Sequence, residues 1–218
     1  MSEKRCAYCG ASGVKLTKDH VFPKCLYPVS KRSSKVQRIT VPACARCNGD
    51  FSDDEVQFRN VLLVSGEPNP IVRELWRTKA LPSFDKADGL RRRNDLLRQI
   101  KPVKTDQGDR PAIYPADQER VMRVLRKVVR GLCAHHRLMS PVRDGRVWAD
   151  VHKFQVPQQL FDQMEYHHCE EDIAQYWYSV LDDPQIHSAW LLTFFEQCTF
   201  IAAVSTTEDG FLHGDWPR

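Results

Sequence analysis

The sequence has no hydrophobic run that approaches the roughly 18 apolar residues needed to span a membrane. Its first residues, Met-Ser-Glu-Lys-Arg-Cys, include no apolar stretch of the kind found in a secretory signal. No internal repeat and no low-complexity tract occurs. With 218 residues and 42% hydrophobic content, the chain can bury one good core or two small ones. We therefore expect a globular, cytoplasmic protein.

Basic residues are scarce at the end of the chain. Residues 151–218 hold two Lys or Arg against eleven Asp or Glu, a formal charge of −9. Residues 1–50 carry +7 and residues 51–150 carry +6, so the whole chain reaches +4. A polyanion should be attracted to the first two thirds and repelled by the last third. The acidic end is either an ordinary solvated surface or a docking face, for a basic protein partner or for the protein's own basic face.

The cysteines favour metal binding over disulfides, because no secretory signal is evident and two pairs have Cys-x-x-Cys spacing. Each such turn presents two sulfurs to one ion, and two turns complete a tetrahedral zinc shell. The predicted zinc is structural, since no coordination position stays open. Its ligands are Cys6, Cys9, Cys44 and Cys47. The remaining cysteines lack this spacing and are interpreted as buried small residues: Cys25, Cys133, Cys169 and Cys198.

Three polar residues accompany the cysteine pairs. Asp19 and His20 lie between the two pairs, and Asn48 follows the last cysteine directly. Carboxylate and amide oxygens are hard ligands for a divalent metal. Histidine has an unperturbed pKa suited to a base near neutral pH. Together these residue types are the minimum set for metal-assisted hydrolysis of a phosphodiester.

In these residues the chain resembles the HNH endonucleases, and in particular their endonuclease VII-like subgroup, in which a four-cysteine zinc site clamps the motif. The resemblance covers about the first quarter of the chain. The matching segments are Cys6-Ala7-Tyr8-Cys9, Lys18-Asp19-His20-Val21-Phe22-Pro23-Lys24 and Val41-Pro42-Ala43-Cys44-Ala45-Arg46-Cys47-Asn48.

The resemblance implies the ββα-metal nuclease fold and a role for each polar residue. His20 would be the general base, and Asp19 and Asn48 would hold Mg²⁺ or another divalent ion. The family usually carries a middle asparagine that helps orient the histidine, and Ile39 stands there in this chain. A backbone carbonyl, Gln37 or Arg38 can take over that task.

The implied activity is endonucleolytic hydrolysis, with DNA as the expected substrate. An alternative is a zinc-knuckle nucleic-acid-binding module that does not cleave. Another is a nuclease subunit of a defence or mobile-element complex, with the acidic end contacting a protein partner. Phosphate contacts are predicted at five basic residues: Lys24, Lys31, Arg32, Lys35 and Arg46.

The periodicity of the chain predicts an α+β protein in three parts: the zinc-clamped motif (1–66), a helical linker region (67–113) and a small α+β domain (114–218). Strands are predicted at 14–17, 37–41, 190–195 and 199–205, and a hairpin turn at 144–145. Helices are predicted from a capping box at Ser52, at 71–78 behind an Asn69 cap, and at 85–100, 118–134 and 157–167. A loop should follow residue 100. The basic stripe of helix 118–134 is read first as a solvated face and second as a phosphate contact; it comprises Arg120, Arg123, Lys127 and Arg130.

Overall fold

The protein is a mixed α+β structure of helices and antiparallel sheets. The computed structural model describes residues 4–33, 36–66, 69–105, 108–113, 115, 118–152, 157–170 and 172–211. The strands are β1 (Leu16–His20), β2 (Thr40–Cys44), β3 (Lys101–Thr105), β4 (Gly108–Ala112), β5 (Val147–Val151), β6 (Glu165–His168), β7 (Ala174–Val180), β8 (Ile186–Phe194) and β9 (Cys198–Ser205). The helices are α1 (Ala45–Gly49), α2 (Ser52–Ser65), α3 (Pro70–Leu75), α4 (Leu81–Phe84), α5 (Gly89–Gln99), α6 (Glu119–His135) and α7 (Gln158–Phe161).

The N-terminal segment forms an antiparallel ribbon followed directly by a short helix. Strand β1 pairs with β2 so that Leu16 lies opposite Cys44 and His20 opposite Thr40. Helix α1 begins at the residue after β2. Both strands lie two to three residues later in the chain than predicted. Val14, which the alternation placed in the first strand, is 47% exposed and lies outside it.

Helix α2 begins at Ser52, but the predicted capping box is wrong. The N-cap is Phe51, and no side chain caps the helix. The Glu55 carboxylate accepts a hydrogen bond from Lys127 Nζ at 3.0 Å instead of returning to the N-terminus of α2. The Glu55 side chain, which the local sequence pattern assigned to the helix cap, therefore binds Lys127 of α6 instead.

The middle region contains one predicted cap and one hairpin that was not predicted. Asn69 caps α3, its side chain accepting a hydrogen bond from Val72 N at 2.8 Å. The predicted loop after residue 100 is wrong, because β3 and β4 pair there with Pro102 opposite Pro111. Proline is tolerated in this two-stranded ribbon because both strands are edges. The two prolines hide the strand pattern in the sequence.

The C-terminal part is a five-stranded antiparallel sheet in the order β5-β9-β8-β7-β6. The strands predicted at 190–195 and 199–205 are confirmed as parts of β8 and β9. The helix predicted at 157–167 is wrong beyond Phe161, since residues 165–168 form an edge strand. The hairpin turn predicted at 144–145 is also wrong. Residues 144–146 form a 3-10 turn leading into β5, which pairs with β9.

Helix α6 lies at the centre of the fold, within one residue at each end of its predicted bounds. It packs against α2, β2 and β5. Burial of each Val or Leu side chain contributes about 1.5–3 kcal/mol, so its apolar stripe is a large share of the stabilising energy. That stripe is fully buried and comprises Val121, Val124, Leu125, Val128 and Leu132.

One hydrophobic cluster joins the N-terminal ribbon, α2, α6 and the C-terminal sheet. The ring of Phe58 on α2 meets that of Phe194 on β8 edge-on, with centroids 5.2 Å apart. Phe22, just after β1, lies 5.9 Å from the ring of Tyr176 on β7. The division into three parts at residues 66 and 113 stays a prediction. No helix within the described ranges is both long and apolar enough to cross a membrane.

The end of α6 yields a pH prediction. His136 packs against three strands, β6, β7 and β8, and its Nε2 lies 2.9 Å from the Tyr176 hydroxyl. Burial, with neighbouring histidines, lowers the His136 pKa from 6.5 to about 4. An unfolded chain takes up this proton first as the pH falls, so the free energy of unfolding should decrease between pH 6.5 and about 4. The groups facing His136 are His135, Glu165, His167, Tyr176, Tyr178 and Trp190.

The measurement is urea unfolding at a series of pH values for wild type and His136→Gln. The variant should lose less stability over that interval than wild type does. His168→Gln, on the exposed edge strand, is the matched control and should follow wild type. Parallel curves for wild type and His136→Gln would contradict the assignment.

Candidate metal centre and the adjacent acid–histidine pair

Four cysteines from three separate segments converge at the base of the β1–β2 ribbon. Cys6 and Cys9 lie in a turn before β1, Cys44 ends β2, and Cys47 lies in α1. Their four Sγ atoms all lie within 4.8 Å of one another, and those of Cys9 and Cys44 are 3.8 Å apart. Four sulfurs bound tetrahedrally at about 2.3 Å to one zinc ion stand about 3.8 Å apart. The cluster can therefore hold a metal ion such as zinc.

The turn that carries the first pair has a local cause. Gly10 adopts a φ of 75°, a backbone conformation that residues other than glycine rarely take. The Gly10 amide donates a hydrogen bond to the carbonyl of Cys6 at 2.9 Å. The amide of Cys44 points to Cys6 Sγ at 3.4 Å. Such amide donors stabilise a thiolate.

The ionisation of the cluster also favours a cation. Burial opposes ionisation of Cys6, but backbone amides including those of Cys44 and Cys9 bring its pKa down to about 7. Burial and the neighbouring sulfurs of Cys44 and Cys9 raise the pKa of Cys47. Four thiols so close together become thiolates together only when a metal ion compensates their charge. All eight cysteines of the chain are free of disulfides.

Asp19 and His20 end β1, on opposite faces of the strand as the pleat requires. The Asp19 side chain faces the protein interior and is only 5% exposed. His20 is half-buried, and its Nδ1 is enclosed without a hydrogen-bond partner in the part of the chain that the structure describes. Burial, and then the charges of Lys24 and Arg38, lower the pKa of His20 below its ordinary value. The imidazole is therefore held in its neutral form near neutral pH.

Two of the groups that could replace the missing asparagine have other contacts, and the third, Gln37, is exposed. The Ile39 carbonyl accepts a hydrogen bond from Val21 N at 3.1 Å, and its side chain packs on the core. The Arg38 guanidinium lies 4.0 Å from the centre of the Tyr27 ring. Arg38 is nevertheless near enough to His20 for its charge to act on the imidazole, so it is a basic residue of the site.

Asn48 lies on the Asp19 side of the ribbon. Its amide donates to Thr17 Oγ1 at 2.9 Å. Thr17 and Asp19 are two residues apart on β1 and so share a face, with about 6.6 Å between their Cα atoms. Asn48 therefore contacts the face of β1 that carries Asp19, and His20 is on the other face.

Asp19 has a partner that the sequence did not predict. Lys127 of α6 is only 2% exposed, and its Nζ lies 3.1 Å from Asp19 Oδ2 and 3.0 Å from Glu55 Oε1. Gly131, one turn later in α6, allows this approach, because a Cβ there would stand 2.9 Å from Val21. A glycine inside a strongly periodic helix was the available signal for close contact between α6 and the ribbon.

The predicted phosphate contacts divide into free and engaged side chains. Lys24 is exposed, and Arg46 is 88% exposed with only a loose pair to Asp50. Lys31 forms ion pairs with Glu170 at 3.3 Å and Asp172 at 2.8 Å. Lys35 and the side chain of Arg32 lie outside the described residues.

The basic stripe of α6 is partly buried: Lys127 and Arg130 are enclosed, whereas the side chains of Arg120 and Arg123 are 54% and 42% exposed. Arg120 and Arg123 each bind a carboxylate oxygen of Asp54 at 2.6 Å. Arg130 donates to the carbonyls of Tyr8 and Val142. These side chains fasten α6 to the N-terminal motif. The sequence predicted a solvated face or a phosphate contact, and neither interpretation included these intramolecular contacts.

No protein-family model, no curated protein and no solved structure matches this chain. The functional conclusion therefore rests on the residues of the site and their geometry.

The cysteine cluster predicts about one zinc ion per chain for the purified protein. Cys47→Ser should abolish zinc retention and lower the melting temperature, because the ribbon, α1 and the N-terminal turn are joined through the cluster. Cys25→Ser, at a half-buried cysteine outside the cluster, should keep both. Zinc content by atomic emission and thermal unfolding would test this. Equal zinc content in the two variants would refute the assignment.

Proposed function

We propose that this protein is a metal-dependent endonuclease of the HNH type that hydrolyses phosphodiester bonds in DNA. One observation carries the proposal. A ribbon and helix joined by four cysteines present Asp19 and His20 at the end of β1, with Asn48 directly after the fourth cysteine and on the Asp19 face. This combines a structural metal site, two oxygen ligands and a neutral imidazole within one small unit.

His20 is the proposed general base. A base must be deprotonated at the working pH, and burial of His20 lowers its pKa in that direction. Because Nδ1 is enclosed, Nε2 is the nitrogen that an attacking water can reach. Lys24 and Arg38 lie close enough to act on the charge of His20 and would attract a phosphate to the same place.

Asp19 and Asn48 suit a divalent metal in their chemistry. Asp19 Oδ2 is buried and already faces one cation, the Lys127 ammonium at 3.1 Å, so a divalent ion bound there would share this carboxylate. The Asn48 amide oxygen adds a second hard ligand. Mg²⁺ held there would neutralise charge on the scissile phosphate and the leaving 3′ oxygen.

The alternative is a zinc-knuckle module that binds nucleic acid without cutting it. The specific observations in its favour are the unpartnered Nδ1 of His20 and the engagement of Ile39 in the core. A base whose ring is not held by a hydrogen bond is less well oriented for proton transfer. The two functions differ in whether the protein cleaves nucleic acid and whether that cleavage requires His20.

Cleavage of supercoiled plasmid DNA with Mg²⁺ tests the proposal. Wild type should nick or linearise the plasmid, and His20→Ala should be slower by about 10²–10⁴-fold, the usual contribution of a general base. His168→Ala is the control variant, and all three proteins are compared at equal zinc content. RNA and branched DNA are run beside the plasmid, since phosphate contacts alone do not select the nucleic acid.

Wild type that binds these substrates but cuts none of them would overturn the nuclease proposal and support the binding module. Cleavage that survives in His20→Ala at the wild-type rate would remove the base assignment.

A second prediction concerns DNA affinity. Lys24→Ala and Arg46→Ala should each weaken binding and reduce the salt dependence by about one unit of log–log slope. Lys31→Ala should change little, because two carboxylates already neutralise that ammonium. Fluorescence anisotropy over a range of salt concentrations measures both effects, with Lys86→Ala as an exposed-lysine control. An equal loss in Lys31→Ala would mean that its ion pairs open when DNA binds.

A further inference from the structure

Three charged side chains are enclosed together where α6 crosses the ribbon. The ammonium of Lys127 lies between Asp19, from β1, and Glu55, from α2. Lys127 is 2% exposed and Asp19 is 5% exposed. A buried ammonium is tolerated only where opposite charge and hydrogen bonds compensate for its lost hydration. The two carboxylates carry two negative charges against the single positive charge of Lys127, so the group has a net charge of −1.

Lys127 contacts both acids at short range. Its Nζ donates a hydrogen bond to Glu55 Oε1 at 3.0 Å. The same Nζ lies 3.1 Å from Asp19 Oδ2 in an ion pair. Lys127 is therefore the counter-ion of both acids, and its ammonium lies where a cation bound to Asp19 Oδ2 would also have to lie.

A further polar group lies at this place. The Tyr8 hydroxyl is buried beside the Asp19 carboxylate, and burial together with the charge and hydrogen bonding of Asp19 raises the pKa of Tyr8. The Asp19 carboxylate is thus bordered by the Lys127 ammonium and the Tyr8 hydroxyl.

The position of Lys127 is set by its surroundings. Its Nζ lies 4.8 Å from the centre of the Phe51 ring and 5.7 Å from that of the Tyr8 ring. Aromatic faces at this distance attract a cation. The ammonium is thus enclosed by two rings and two carboxylates, and it cannot turn to solvent without leaving a buried acid unpaired.

We propose that Lys127 is a tethered cation that competes with a divalent metal for Asp19 and so lowers the metal affinity of the Asp19–Asn48 site. The inference rests on the proposed function only in taking Asp19 and Asn48 as the metal ligands. A metal ion at Asp19 must share the carboxylate with Lys127 or displace it, and the two positive charges repel each other at short range. Lys127 then sets the metal concentration at which the site fills, and it keeps Asp19 neutralised when the metal is absent.

The test is titration of the zinc-loaded full chain with Mn²⁺ by isothermal calorimetry, followed by electron paramagnetic resonance of free Mn²⁺. Lys127→Met keeps the length of the side chain and removes its charge, and it should bind Mn²⁺ about tenfold more tightly or better. Lys127→Arg keeps the charge and should show no such gain. Lys18→Met removes an exposed lysine next to Asp19 and controls for net charge. Asp19→Asn added to Lys127→Met should abolish the gain.

Unchanged or weaker Mn²⁺ binding in Lys127→Met would overturn the inference. Lys127→Gln, which keeps a donor for Glu55, is the second neutral variant, and each is checked by circular dichroism and zinc content. If neither neutral variant folds, Lys127 serves the fold and the inference falls.

The inference and the proposed function fail separately. A chain that gains Mn²⁺ affinity in Lys127→Met but cleaves no nucleic acid keeps the inference and loses the nuclease. A chain that cleaves DNA with no change of metal affinity in Lys127→Met keeps the nuclease and loses the inference.

Discussion

The ion pairs of Lys127 connect α6 to β1 and to α2, and the positions of the other elements depend on these connections. Lys127 comes from the central helix, Asp19 from the ribbon and Glu55 from α2. Lys127 and Asp19 are buried, and the Glu55 side chain is 21% exposed. Breaking one partner would leave a buried charge uncompensated, which costs roughly 3–5 kcal/mol. The position of Asp19, and with it the geometry of the candidate site, is therefore coupled to the packing of α6.

The cysteine cluster constrains the same region from the other side. A ribbon with five residues in each strand and a helix of five residues cannot bury enough apolar surface to be stable alone. Four convergent sulfurs supply a covalent-strength link between its segments when they bind metal. His20 then lies on the outer face of the ribbon, while the inner face packs on α6 and Phe22, just after β1, packs on the C-terminal sheet.

Part of the basic charge is paired with the protein's own carboxylates. Arg120 and Arg123 share Asp54, and Lys31 reaches the acidic turn at Glu170 and Asp172. The acidic end of the chain thus contacts one of the protein's own basic residues. The charge distribution alone was equally consistent with a solvated surface or with a basic protein partner. The net charge of a segment describes long-range attraction, but local pairing decides which cations stay exposed to a phosphate.

The sequence by itself determined the features that depend on residues near one another in the chain. Cysteine spacing indicated the metal cluster, a regular apolar stripe indicated α6, and β-branched runs indicated β8 and β9. Only the tertiary structure decided the partner of Asp19, because Lys127 lies 108 residues further along the chain. The hairpin of β3 and β4 and the edge strand β6 pair with neighbouring segments, and they were missed because their local patterns resemble a loop and a helix. A lysine in a helix has the same local pattern whether it faces water or a buried carboxylate, and packing alone distinguishes the two.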